Sequence, residues 1–349
     1  MNAYCHLEPS QTSRRRFLAQ LATAGASALL SGCQTTAGTV SEKPYRIDVH
    51  HHIAPPGYSA ELKALMRSHA RWSVQGTLEQ MDQSGIATCM TSLINPGMQA
   101  WLGDPAGSRK IARISNEYAA RLMSDYPGRF GSFASIPFPD VEASLREIEY
   151  AYDALKADGI YLWTSYRGKL LGDPAFFPIL EELNRRKAIV YTHPATPVCC
   201  AGLMPYVSIN AIEGPVDTTR TMISLIFQGG AARYPDIRWI FSHSGGVTPF
   251  LLSRFQREEV EKDRKAVLPR GLMHELRKFH YDTAQGHHEG ALKALLAIIP
   301  PSQVLFGTDY PFWDGRKVSA DLAKGGLTPN ELMGIDRINA LRLFPRLQA

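Results

Sequence analysis

The sequence predicts an α/β protein of the (β/α)8, or TIM-barrel, type, and three observations carry that expectation. Short apolar, β-rich runs alternate with longer amphipathic stretches from residue 45 onward. The alternation repeats eight times, which calls for parallel strands joined by helical crossovers. Histidine or aspartate closes four of those eight runs, at the end where such a barrel gathers its chemistry. A doubly wound open sheet shares the alternation, but eight strands favour closure. The chain has 349 residues, 44% hydrophobic and 20% charged. That is ordinary globular composition, and a barrel of about 250 to 300 residues buries one sufficient core.

Taken in order, the strand runs are residues 45–49, 87–93, 130–136, 159–162, 188–192, 237–242, 279–282 and 304–307. Helical spacing marks the stretches between them. Residues 77–84 carry Leu78 and Met81; 108–126 repeat Ile111, Ile114, Tyr118 and Leu122; 141–157 repeat Leu145, Ile148, Tyr152 and Leu155. Residues 176–187, 218–229 and 290–297 continue the pattern, and 339–344 suit a last docked helix. Residues 198–215 show little period and read as a long loop, of the length that usually forms a lid or lining.

Residues 1–32 read as an address rather than as fold. Ser13-Arg14-Arg15-Arg16-Phe17-Leu18 fits the twin-arginine export pattern. The apolar stretch that follows, 17–30, is too short and too rich in Ala, Gly and Ser for a membrane span. It ends in Leu30-Ser31-Gly32-Cys33, like the lipobox of bacterial lipoproteins, so Cys33 is the expected lipidation site. Residues 33–43 are polar and small, as a flexible tether should be, and 44–349 form the single catalytic barrel. The expected location is the periplasm or cell envelope, with membrane contact only through the lipid anchor.

The net charge is +5, of which the first 32 residues carry +2. No other Lys/Arg run marks a nucleic-acid face. With Cys5 removed and Cys33 acylated, Cys89, Cys199 and Cys200 remain; three cysteines make no disulfide framework and read as structural thiols.

The chemistry sits at the strand ends. Asp48-Val49-His50-His51-His52 closes the first strand, Tyr191-Thr192-His193-Pro194 the fifth, Phe241-Ser242-His243-Ser244 the sixth, and Gly307-Thr308-Asp309 the eighth. Residues i and i+2 of a strand point the same way, so His50 and His52 can share one ion while His51 faces elsewhere. Imidazoles plus one carboxylate suit zinc or a similar divalent ion with a position left open. Asn95-Pro96-Gly97, Pro137-Phe138-Pro139 and Asp282-Thr283 also fall at the mouth, and His287-His288 is placed to touch substrate from the rim.

These motifs resemble the amidohydrolase superfamily. The fuller strings IDVHHHIAPPGY, YTHPATP, FSHSGGVTPFLLSR and FGTDYPF are similar to its decarboxylase branch, over roughly residues 45–345. The resemblance implies His50, His52, His193 and Asp309 as metal ligands, with one zinc or manganese ion and no organic cofactor. It implies His243 as the residue that trades protons beside the metal, with Asp309 a ligand and also a base. Arg254 matches an arginine that grips a substrate carboxylate across a dimer interface, so a homodimer is implied. Binuclear members carry a lysine at strand four, where this chain has Leu162-Trp163-Thr164, which argues for one metal. Trp163 is then free to wall the pocket against an aromatic ring. The expected reaction is non-oxidative decarboxylation of a small aromatic or enol-conjugated carboxylic acid. A metal-dependent hydrolase of a lactone, ester or amide is the rival, and a non-catalytic metal-binding lipoprotein a third class.

Overall fold

The computed structural model describes residues 45–56, 72–94, 103–200 and 202–348. The expected leader 1–32, Cys33, the tether 33–43 and the Asn95-Pro96-Gly97 loop lie outside the described residues. Eight parallel strands pair in sequential order: β1 (Arg46–Ile53), β2 (Ile86–Leu93), β3 (Phe130–Ser135), β4 (Gly159–Trp163), β5 (Ile189–His193), β6 (Arg238–Phe241), β7 (His280–Asp282) and β8 (Val304–Leu305). The first and last strands meet, because Val49 N–H donates to the Phe306 carbonyl at 2.9 Å, Asp309 N–H to that of His50 at 2.8 Å, and His52 N–H to that of Tyr310 at 2.8 Å. The sheet is therefore a barrel.

A buried carboxylate reinforces that seam. Asp48 accepts from the backbone N–H of His50 and of Thr308, both at 3.0 Å, and from the Thr308 hydroxyl at 2.6 Å. His51 Nδ1 lies 2.9 Å from the same carboxylate, so the middle histidine of the triplet does face away from its neighbours.

The helices between strands start where capping residues stand. Ser73 caps α1 (Val74–Gln83), Asp104 with Pro105 opens α2 (Pro105–Asp125), and Asp140 caps α3 (Val141–Glu149). Residues 150–154 continue α3 as a π-helical turn rather than as the single α-helix the spacing predicts. After α4 (Phe177–Arg185) and β5, the predicted loop 198–215 proves half helical: α5 runs Ile209–Phe227 with Pro215 inside it. Proline within the run is what hid that helix from its sequence. Two helices with no clear period, α6 (Thr248–Glu261) and α7 (Leu272–Lys278), precede β7; α8 (Glu289–Leu296) follows it. Among the described residues no helix is long and apolar enough to cross a membrane. The core packs aromatic rings beneath the strand ends, with Tyr191 stacked between Phe133 at 5.0 Å and Tyr161 at 6.0 Å.

Candidate metal centre and catalytic cavity

The C-terminal ends of β1, β5 and β8 bring His50, His52, His193 and Asp309 together, each with a ligand atom within 4.8 Å of the others and all buried. Each imidazole is oriented from outside. His50 Nδ1 is 2.8 Å from Asp282, His52 Nδ1 is 3.0 Å from the Ser92 hydroxyl, and His193 Nδ1 is 3.2 Å from the Pro194 carbonyl. With Nδ1 so engaged, Nε2 is left as the ligating atom on all three rings. His50 Nε2 and His52 Nε2 converge on the same oxygen of Asp309, at 3.2 and 3.1 Å. Among the described residues His50 Nε2 is also a buried nitrogen with no hydrogen bond of its own. Three Nε2 atoms and one carboxylate converging in a buried place fit a divalent cation.

The electrostatics describe the metal-free centre. Burial alone would depress His50, but the Asp282 and Asp309 carboxylates outweigh it and lift the imidazole to about 10. Burial lowers His52 to about 4, with Asp309 offsetting part of that and His50 adding to it. Burial and then repulsion from His52 and His50 push His193 well below its usual range. Burial opposes ionisation of Asp309, yet the neighbouring histidines hold its carboxyl well below the usual carboxylate range. The metal-free centre thus keeps its proton on His50, where a cation would sit.

His243 follows β6 on a turn with four consecutive residues at positive φ: 53° at His243, 56° at Ser244, 70° at Gly245 and 67° at Gly246. Two of the four are not glycine, and such strain gathers at functional sites. The turn brings the His243 ring to 4.9 Å from that of His50 and sets Nε2 3.5 Å from the outer oxygen of Asp309. Gln285, also at positive φ, donates its side-chain amide to that same oxygen. Gln285 is the site residue that sequence reasoning missed, and Asp282, placed at the mouth, was given no role. An Asp-Thr at a strand end and a Gln in a loop carry no pattern of their own.

Above this floor opens a cavity of about 530 Å³. His193, His243 and Asp309 form its base, with Ile209, Phe250 and Phe312 among its apolar walls. Among the described lining residues there is no Lys or Arg.

Other expected residues fall elsewhere. Trp163 is buried behind His193, ring to ring at 5.6 Å, and does not line the cavity. Arg254 is exposed on α6 and is likewise absent from the lining. His287 packs against Trp313 and lies 3.5 Å from Asp321, and His288 caps α8, so neither reaches the cavity. Thr164, in the Leu162-Trp163-Thr164 stretch at the end of β4, donates its hydroxyl to Asp217 at 2.5 Å. Cys89 is a buried free thiol as expected, but Cys199 and Cys200 are joined as a vicinal disulfide. Their place on one short turn, 198–200, puts the two sulfurs side by side, and the expectation of three free thiols is corrected.

The fold and the site together define a (β/α)8-barrel enzyme whose centre for a divalent metal is built from three histidines and one aspartate. The chain belongs to the amidohydrolase family, whose model matches residues 47–346. It is 34% identical to the decarboxylase yanB of Aspergillus niger over 324 residues, covering 87% of this chain and 88% of that one. It is also 34% identical to the 6-methylsalicylic acid decarboxylase of Penicillium expansum over 316 residues, covering 87% and 97%. Among solved structures it resembles an amidohydrolase II protein, with a TM-score of 0.79, 25% identity and coverage of 86% and 99%. It also matches the fold of a dihydroxybenzoic acid decarboxylase from Polaromonas sp. solved with bound manganese, with a TM-score of 0.76, 21% identity and coverage of 87% and 98%.

Proposed function

We infer that this protein is a metal-dependent, non-oxidative decarboxylase of an aromatic or enol-conjugated carboxylic acid of the 6-methylsalicylate kind. One observation carries the reading: the family's metal-ligand set opens into a cavity partly walled by apolar side chains with His243 at its floor, in a chain one third identical to named decarboxylases. His50, His52, His193 and Asp309 would hold the ion. When bound, that ion supplies a Lewis-acid anchor for the substrate carboxylate and a neighbouring hydroxyl. The manganese in the Polaromonas protein supports manganese beside zinc as its identity.

His243 would deliver a proton to the carbon bearing the carboxylate. The bond to the carboxylate then breaks, its electron pair restores the ring, and carbon dioxide leaves. His243 regains its proton from solvent through the cavity. The substrate itself is the electron sink, so the residues need no organic cofactor. Apolar walls, with no lysine or arginine among the described lining residues, suit a neutral ring carrying a single carboxylate.

The test is an assay of metal-replete protein on 6-methylsalicylate, related hydroxybenzoates and a lactone panel, following carbon dioxide and ring absorbance together. Carbon dioxide release that stops on chelation and returns with zinc or manganese is expected. His243→Ala should lower that rate by about 100-fold or more while the metal content stays. A variant that keeps near-wild-type turnover sinks the proton-transfer role, and lactone cleavage without carbon dioxide transfers the protein to the hydrolases.

Arg254, exposed on α6, would meet a substrate carboxylate only from a second copy of the chain. A strictly monomeric protein whose KM is unchanged by Arg254→Ala would remove that part of the reading. Arg14-Arg15-Arg16 and Leu30-Ser31-Gly32-Cys33 support twin-arginine export and lipidation at Cys33. A mature N-terminus found by mass spectrometry anywhere but at a lipidated Cys33 would refute it.

A further inference from the structure

Asp282, the last residue of β7, is fully buried and makes no ion pair with any lysine or arginine among the described residues. Four donors, from β1, from β5 and from the segments after β6 and β7, saturate its carboxylate, which offers about four lone-pair sites. One oxygen accepts from the backbone N–H of His243 at 2.9 Å and of Ala284 at 3.0 Å. The other lies 2.8 Å from His50 Nδ1 and accepts from the Tyr191 hydroxyl at 3.3 Å. Room for this meeting comes from Gly307 on the neighbouring segment. A Cβ there would stand 2.9 Å from His50 Cβ and 3.0 Å from Asp282 Cβ.

We propose that Asp282 is the positioning residue that couples the metal centre to the proton-transfer group. Through one oxygen it keeps the His50 proton on Nδ1 and so keeps Nε2 free to ligate. Through the other it holds the backbone of His243 in its left-handed conformation and so fixes where that imidazole stands. The inference rests on the metal site and on the place of His243, not on which bond the enzyme breaks.

Asparagine at this position is not conservative, and the hydrogen-bond inventory shows why. If its NH2 takes the place of the first oxygen, it faces two backbone N–H groups that it cannot satisfy. If it takes the place of the second, His50 Nδ1 must become an acceptor. That moves the proton to Nε2, the ligating atom. Either orientation disables one of the two histidines, and exchange between them weakens both.

The experiment is Asp282→Asn on the full chain, stripped of metal and titrated with zinc against a chromophoric chelator, followed by turnover at saturating zinc. Zinc affinity should fall by about 10- to 100-fold and kcat by a similar factor. Either constant staying within about threefold of wild type overturns the coupling. Since the variant could fail to fold, a second measurement uses the wild-type protein alone. In zinc-loaded, 15N-histidine-labelled protein, His50 should show its proton on Nδ1 and none on Nε2. A His50 without a proton on Nδ1 overturns the proposal whatever the variant does, and zinc-affinity data of either sign leave the decarboxylase assay free to succeed or fail by itself.

Discussion

His50 is the residue whose state changes most when the centre fills. Two carboxylates lift its imidazole to about 10 in the metal-free protein, above the ordinary 6.5. The sign follows from linkage: a raised histidine stabilises the metal-free fold fully below the unfolded value, and that contribution fades as pH rises through about 10. Near neutral pH, His52 and His193 are already neutral, so a cation that takes the centre must expel about one proton. Calorimetric titration of metal in buffers of different ionisation enthalpy reads that number directly, and a value near zero would contradict the protonated His50. At this scale the sequence was legible where a rule of geometry applied. The i, i+2 spacing singled out His50 and His52 and turned His51 away, and the structure agrees. It gave Asp282 a place but no role and was blind to Gln285, because their importance lies in partners from distant strands.

Among the elements, the turn from His243 to Gly246 is the most demanding. A Cβ on Gly246 would lie 2.0 Å from the Pro215 carbonyl oxygen and 2.7 Å from the Thr219 hydroxyl. Thr219 in turn accepts from Val247 N–H at 2.9 Å, which seats the turn on α5. Gly246→Ala should therefore cost about 1–3 kcal/mol of stability and displace His243. Thermal denaturation and kcat measured together check it: both should fall while the metal content persists. The predicted strand runs coincide with all eight barrel strands to within a few residues, since apolar runs in parallel strands are bounded by turn residues. Helices were read less completely. The period of α2 was visible but its start at Pro105 lay with the Asp104 cap, three residues before the predicted start at 108. Residues 209–215 of α5 were concealed by Pro215, and α6 by a charged surface face that leaves only Thr248 fully buried.

For the molecule as a whole, the decisive feature is the seam between β1 and the segment after β8. Asp48→Ala would strand the backbone N–H groups of His50 and Thr308 and leave His51 unsupported. Buried donors without acceptors cost about 1–3 kcal/mol each, so a loss of about 3 kcal/mol is expected. Chemical denaturation should show it as a lower midpoint with an unchanged slope. A stability equal to wild type would mean that the seam is held elsewhere. The same seam has a bearing on how the protein is born. Asp48 and Thr308 are separated by 260 positions, and three of the four metal ligands lie on these two segments. Both segments must therefore have been synthesised before a complete ligand set can exist in one place. A chain cut short before Asp309 is left with histidines that have no aspartate to join them.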